Sequence, residues 1–449
     1  MGREPNGADG GETLPGSLLP WLARVTEDPG LESRVVLRDV GDGRGRGLRA
    51  LRTLAPGEVI FSLPFRLVFA EDVPEEDGVC ADDASPSSSS SPSDEDEDMP
   101  WSALMAMRLL EERARGGELA EWIASLPAFV STPPLEYSPE EIALAEDPAI
   151  EGEAKSVAEA HARAAETLRS RLDAIGCTAD DLRWATGVLH SRCFTHGPHG
   201  THLAVPGVDM CNHCFEAPSA GVRVVTSPDN CQGARATEEI AARDDAAGEG
   251  PDGDDAFFQL CAGEDGIEEG EEVTISYGPW PNDPFFLYFG FVPSLNPNDA
   301  VVLFADVTEV AACAERLGLL TAEQAEEAKG KAAVANTEVN HQRQRQRMVI
   351  TREGVDYSVV AAAEAVGLPG WEDLVEGRCR EILRSYSTTL KVDREMLSGE
   401  REDGVMTENE ATAVLFRMSK KEVLLGPLAA AAAKKAAAEA AATAAPAEA

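Results

Sequence analysis

Residues 270–278 read Gly-Glu-Glu-Val-Thr-Ile-Ser-Tyr-Gly. A glycine turn, a β-branched alternating run and a tyrosine before a second glycine predict a strand over Val273–Tyr277 that ends at Tyr277. A tyrosine in that place ordinarily packs its ring at the edge of the core and turns its hydroxyl outward. Upstream, Phe257-Phe-Gln-Leu260, Val222-Arg-Val-Val225 and His202-Leu-Ala-Val205 carry the same strand signal. So do Val35-Val-Leu37, Leu48 to Leu54 and Val59-Ile-Phe61, with a turn-rich loop, Gly41 to Gly47, between the first two. Turns punctuate these runs as they do in a small meander, so the frame is β-rich.

A helical block interrupts that frame. Trp101 opens it, and Leu104, Met107, Leu110 and Glu111 show the three-and-four spacing of an amphipathic helix. A second helix is expected over Glu118–Leu126, stopped by Pro127. Ser138-Pro-Glu-Glu141 has the form of a helix start, with proline in the first turn and acids behind it. Residues 151–175 and 179–194 are expected to be helical too. After about residue 305 the chain is expected to be helical to its end, most clearly over Trp371–Leu383 and Glu408–Leu425. The expected organisation is therefore a disordered N-terminus (1–30), a β-rich domain (31–300) holding the helical insertion (101–195), a helical domain (301–425) and an Ala-rich tail (426–449). Two acidic low-complexity insertions, 71–99 and 233–255, cannot bury a core.

The chain has 449 residues, 43% hydrophobic, with a formal net charge of −41. That is ample for two or three domains. Such acidity repels nucleic acid and acidic membranes, so neither is an expected partner, while a basic protein would be attracted. Much of the acid lies in low-complexity runs, where its ordinary role is to solvate loops. The nine cysteines are an odd number without framework spacing, as expected of reduced thiols inside a cell. Cys211-Asn-His-Cys214 is a lone CxxC, and a structural zinc needs four ligands, so no metal is expected. No apolar run is long enough to span a bilayer. Neither a secretory leader nor a myristoylation signal is evident (Asn6 stands where the latter needs Ser or Thr). Cytosol or nucleus is the expected compartment, with a plastid as the open alternative.

Four segments carry candidate chemistry. Gly43-Arg-Gly-Arg-Gly47 lets backbone approach a ligand closely, yet it does not match a dinucleotide-binding fingerprint. Arg192, in His190-Ser-Arg-Cys-Phe194, is a lone cation at the end of an apolar helix, suited either to a surface ion pair or to clamping a carboxylate. Asp209, Asn212 and His213 lie within five residues just after a strand, as in a hydrogen-bond hub or pocket wall. The fourth is the opening stretch with Phe289-Gly-Phe291 beyond it. Singly, each has an ordinary structural explanation.

In this order, the four resemble the SET-domain methyltransferases. Gly-Arg-Gly with Leu-Arg-Ala looks like the opening of that domain, Asp-Met-Cys-Asn-His like its Asn-His signature, and Gly-Glu-Glu-Val-Thr-Ile-Ser-Tyr-Gly like its Tyr-Gly signature. Trp122-Ile-Ala-Ser-Leu-Pro127, Thr132 to Glu141, and Ile382 to Lys391 followed by Glu408 to Arg417 resemble the subfamily of the plant Rubisco large-subunit lysine methyltransferase and related lysine and actin-histidine methyltransferases. The likeness covers roughly 30–425.

The resemblance implies an α+β fold: a β-rich SET domain interrupted by a helical insertion, then an all-α substrate-binding domain. It implies S-adenosylmethionine as cofactor, a protein substrate bound through the C-terminal helical domain and the SET channel, and a monomer. Carried over residue by residue, Gly45, Arg46 and Gly47 would contact the cofactor through backbone, and Arg192 its carboxylate region. Asn212 and His213 would hold its adenine and amino-acid parts. Phe289, Gly290 and Phe291 would pack near the adenine and the channel, and Asp209 falls in the same matching run. Tyr277 matches the catalytic tyrosine. The sequence departs from near relatives in one place: Phe289 stands where they often carry a second tyrosine, with Tyr288 one place earlier. The implied acceptor is a lysine of a non-histone protein. A histidine acceptor of the actin type, and a non-catalytic adaptor that keeps the fold, are the alternatives.

Overall fold

The computed structural model describes residues 18–41, 44–71, 99–196, 200–226, 256–339, 348–399 and 406–444, with side chains for all but 196, 331–339 and 430–444. The low-complexity stretches 1–16 and 233–255, and 71–99 apart from its two ends, lie outside the described residues. The chain divides into two compact units: 1–131 with 155–279, and 132–154 with 280–449.

In the first unit the strands β1 (Val35–Asp39), β2 (Arg46–Ala50), β3 (Val59–Pro64), β4 (Phe69–Ala70), β5 (Cys193–His196), β6 (Thr201–Ala204), β7 (Asn212–His213), β8 (Ala220–Val225), β9 (Phe257–Ala262) and β10 (Glu272–Ile275) make three small sheets. Their orders are β1-β2-β10-β7, β3-β9-β8 and β4-β6-β5. Pairing is antiparallel except between β10 and β7, which run parallel with Thr274 opposite Asn212 and Ile275 opposite His213. Alternation sends Phe61 with Leu63 and Phe258 with Leu260 into one core, which Leu48 and Val273 join. The helices Trp101–Arg115 and Ala179–Arg192 bury Met105, Met107, Leu109, Leu110, Leu182 and Leu189 in the same core. Gly116 stops the first of these in a left-handed conformation, and a Thr178–Asp181 capping box starts the second.

Three expectations need correction. Residues 18–30 are not disordered. Leu18–Val25 forms a helix whose Leu18, Trp21 and Leu22 are buried in the first unit's core, and Trp21 donates to the Glu118 carbonyl at 3.0 Å. Helix Ala179–Arg192 stops two residues sooner than expected, because Cys193–His196 pairs with Thr201–Ala204 as a hairpin. The helical insertion does not stay whole: 132–154 belongs with the second unit. There the Ser138–Glu141 capping box begins a short helix, and Ile142, Leu144, Ala145 and Ile150 pack with Phe286, Leu287 and Phe416. The unit boundary accordingly falls at 279/280 instead of 300/301.

The second unit is helical, with one strand pair that the sequence did not suggest: β11 (Ala300–Phe304) and β12 (Met348–Thr351), antiparallel, with Val301 opposite Ile350. Its longest helix, Glu408–Ala444, runs past the expected end at 425 and through Pro427. No helix among the described residues is long and apolar enough to cross a membrane.

His190 is half-buried in the first unit, with its Nδ1 out of reach of solvent and its ring edge-on to Trp101 at 5.8 Å, and desolvation drives its pKa down to about 4, with His161 and His202 adding to the shift. A depressed histidine contributes stability above its unfolded value of 6.5, and that contribution is lost as pH falls toward the folded value of about 4. We expect the melting temperature to fall across pH 6.5–4 more steeply for the wild type than for His190→Phe. Identical slopes would contradict the assignment.

Candidate active site

The β10–β7 pairing creates the centre of the site, because it sets Asn212 and His213 beside the strand that leads into residues 276–278. Tyr277 lies two residues past the end of β10, not at its last position as expected. Its amide donates to His213 Nδ1 at 3.0 Å, and its hydroxyl donates to the Cys211 carbonyl at 2.8 Å. The Tyr277 and His213 rings are 5.1 Å apart. Burial raises the phenol well above its ordinary pKa, only partly opposed by Arg192. Tyr277 is therefore a protonated donor at neutral pH, not a base.

His213 receives the Tyr277 amide on Nδ1, so in the neutral ring the proton sits on Nε2. Burial lowers its pKa to about 4, which keeps the ring neutral. Its ring stands edge-on to Phe215 at 4.0 Å, and with Nδ1 engaged it is not poised as a general base. Asn212 is held by Glu272: its amide donates to Glu272 Oε1 at 2.7 Å and more weakly to the Arg46 carbonyl at 3.5 Å.

The glycine loop earns its composition here. Gly45 adopts φ +69° and its carbonyl accepts from Val40 N at 2.9 Å, closing the β1–β2 turn. Gly47 is needed for space: a Cβ would stand 2.9 Å from Asn212 Nδ2 and 2.8 Å from Val40 Cγ1. Gly43 lies outside the described residues.

Arg192 is the last residue of its helix, and its guanidinium donates to the Asp209 carbonyl. The Asp209 carboxylate is buried. It accepts from Gly207 N at 2.8 Å and Trp122 Nε1 at 3.3 Å, and faces Arg192 at 3.6 Å. Burial raises the Asp209 pKa, with Arg192, Trp122 and Gly207 opposing. Arg46 anchors to the Ser125 carbonyl at 2.8 Å, and its pKa is lowered by burial and then by the charge of Arg192. Two guanidinium groups thus share one carboxylate, and Arg192 Nε is buried without a hydrogen bond. That corner suits a ligand bearing an anionic group. Asp209 itself is committed to holding Arg192, Trp122 and the Gly207 turn.

Gly45, Arg46, Gly47, Arg192, Asp209, Asn212, His213 and Tyr277 all belong to the first unit. Phe289, Gly290 and Phe291 belong to the second. Phe289 ends a widened π-helical turn, Phe285–Phe289, and Gly290 caps it at φ +76°, with Phe285 5.3 Å from both Phe289 and Phe291. Such turns recur at functional sites. The Tyr288 hydroxyl donates to Glu153 Oε1 at 2.8 Å, so that phenol is tied to the second unit's own surface.

Trp122 and Glu272 were not singled out as site residues. Each reads locally as an unremarkable core aromatic or solvated acid, and only the fold brings them to Asp209 and Asn212. Cys211 is a poor metal ligand, since burial pushes its thiol pKa up and Asp209 and Glu272 add to the shift. Among the described residues no group of three or more His, Cys, Asp or Glu is placed to hold a metal.

Residues 364–424 match the family model of the Rubisco LSMT substrate-binding domain. Solved structures share the fold. A structure of Rubisco LSMT bound to AdoMet aligns with TM-score 0.57 at 19% identity, covering 92% of this chain and 91% of that one. The SET domain of LSMT bound to lysine and AdoHcy aligns with TM-score 0.56 at 19% identity, covering 91% and 90%. Rubisco LSMT bound to sinefungin and monomethyllysine gives the same values. No curated protein sequence matches significantly. The chain therefore has the α+β fold of these SET-domain structures, followed by a helical segment of the LSMT substrate-binding type.

Proposed function

We propose that this chain is an S-adenosylmethionine-dependent methyltransferase that modifies a lysine side-chain nitrogen of a non-histone protein. One observation carries the reading: a neutral phenol, Tyr277, is locked by His213 and Cys211 on the same wall as Asn212 and the anion-seeking corner of Arg192 and Arg46. The solved structures that share the fold include one bound to AdoMet and one bound to monomethyllysine, which supports the reading.

The residues present fit the donor. The orphaned Arg192 Nε and the surplus positive charge suit its carboxylate, and the space kept by Gly47 lets backbone lie close to it. Asn212 and His213 would hold its amino-acid and adenine parts. When bound, the sulfonium supplies an activated methyl group, so the protein's task is alignment and electrostatics. An acceptor lysine must shed a proton from an ordinary pKa near ~10.4, and a buried channel favours the neutral amine. Tyr277 contributes an oriented hydroxyl to that channel, and its raised pKa keeps the proton in place. The protein substrate would dock through the helical region 364–424. We propose that it acts as a monomer in the cytosol or nucleus, with a plastid as the alternative.

Phe289 supplies no hydroxyl, and the Tyr288 hydroxyl is engaged with Glu153. The departure from near relatives, which often carry a tyrosine at this position, supports a second reading of the product: more than one methyl per acceptor, or a histidine acceptor. The test is transfer of labelled methyl from S-adenosylmethionine to cell-extract proteins, followed by mass spectrometry of the labelled peptides. Methyl-lysine supports the proposal, methyl-histidine redirects it to the actin type, and no labelled protein favours the adaptor.

Asn212→Ala is expected to weaken donor binding by ~1–3 kcal/mol, because it removes a partly buried amide and frees Glu272 from its partner. Calorimetry giving wild-type affinity would remove Asn212 from the site.

A further inference from the structure

Three neighbouring strands of the first unit bring three positions to one point. β2 supplies Gly47, β10 supplies Glu272 and β7 supplies Asn212, in the sheet order β2-β10-β7. Glu272 Oε1 accepts from Asn212 Nδ2 at 2.7 Å. A Cβ on Gly47 would stand 2.9 Å from each of those two atoms, so the bare glycine leaves them room to meet. The second carboxylate oxygen, Glu272 Oε2, pairs with Arg44 Nη1 at 2.7 Å. Arg44 directly precedes Gly45 in the glycine loop.

Stability does not account for this carboxylate. The Glu272 side chain is 10% exposed, while that of Arg44 is 47% exposed. An ion pair with a half-exposed arginine contributes little to stability. Taking a carboxylate nearly out of water is costly, and an apolar side chain of similar volume serves stability as well or better. Its neighbours Val273 and Ile275, both buried, already hold β10 in the core.

The contact with Asn212 is where the charge has a specific effect. A carboxylate only accepts hydrogen bonds, so it draws the NH2 group of the amide and not its oxygen. The longer contact of the same nitrogen with the Arg46 carbonyl, at 3.5 Å, agrees in sense. An amide side chain has two orientations of nearly the same shape. Beside Glu272 it has one, and Oδ1 is the end left to meet a ligand. Arg44 occupies the other oxygen of Glu272, which keeps Oε1 for Asn212.

We infer that Glu272 is a positioning residue that fixes the orientation of Asn212 and through it sets how tightly the methyl donor is held. The inference rests on the methyl-donor reading above, in which Asn212 touches the donor.

The test uses the full chain, with donor Kd from calorimetry and a KM-against-kcat split. Glu272→Leu, which removes both oxygens at similar volume, is expected to raise the donor Kd and KM about tenfold, with kcat at saturating donor kept within about twofold. Glu272→Ala carries the same expectation if Glu272→Leu does not fold. Glu272→Gln keeps an oxygen for the Asn212 amide and is expected to bring Kd back to within about threefold of wild type. Because Glu272 acts through Asn212, adding Glu272→Leu to Asn212→Ala is expected to change Kd by less than about twofold. Unchanged Kd and KM in the folded variant, no recovery in Glu272→Gln, or an equal loss with and without Asn212 would overturn the inference while leaving the methyl-donor reading intact. A wild-type chain that binds no donor would overturn that reading, and this inference with it.

Discussion

Tyr277→Phe is expected to lower turnover by about 10²–10⁴-fold, the range that one positioned proton-bearing group commands, while donor affinity changes no more than a few-fold. The substitution removes one oxygen only. The amide contact with His213 Nδ1 and the ring contact with His213 do not involve the hydroxyl and persist. The Cys211 carbonyl loses its phenol donor, at ~1 kcal/mol of stability, too little to unfold the unit. A melting curve near wild type, calorimetry with the donor and a labelled-methyl assay on the same preparation separate these effects. Unchanged turnover would mean that the phenol takes no part in transfer.

The largest stability effect is expected in the second unit, at Asp393. Its fully buried carboxylate accepts from Arg417 Nε and Nη2 at 3.0 and 2.9 Å, from Lys421 Nζ at 2.6 Å and from Thr388 Oγ1 at 2.6 Å. Arg417 and Lys421 are themselves only 2% and 1% exposed. Asp393→Ala leaves both cations without that partner inside the second unit, and is expected to destabilise it by ~3–5 kcal/mol. Chemical denaturation measures the loss, and a change under about 1 kcal/mol would show that water reaches the site. Burial alone would raise the Asp393 pKa, but Lys421, Thr388 and Arg417 outweigh it and hold the carboxyl below its ordinary range. The sign of the pH effect follows: this stabilisation is full above the ordinary value of 3.8 and disappears as pH falls through the lower folded value.

These two sites differ in how far the sequence reveals them. Tyr277, Asn212 and His213 sit in short motifs whose turn glycines and strand context are local, so the motifs and the residues the fold brings together coincide. The frame of β2, β3, β9 and β10 is legible for the same reason, since period-two alternation is a local property. Arg417 and Lys420-Lys421 show no such signature. At helical spacing they read as a solvated face, and their burial depends on Asp393, Asp299 and Asp283 arriving from elsewhere in the chain. Trp122 and Glu272 are hidden in the same way, because only the fold brings them to Asp209 and Asn212. The N-terminal helix was obscured by the Gly- and acid-rich residues before it, although Leu18-Leu-Pro-Trp-Leu22 carries the apolar face that docks it. Residues 132–154 look continuous with the helices around them, and only their packing on Phe286 and Phe416 assigns them to the second unit.

A crystal structure of the chain grown with S-adenosylmethionine is the most direct test of where the donor sits. The predicted result has its carboxylate on Arg192, its adenosine against Asn212 and His213, and its methyl carbon turned toward the Tyr277 hydroxyl. A donor lodged elsewhere, or a phenol pointing away from that methyl, would contradict the assignment of this pocket.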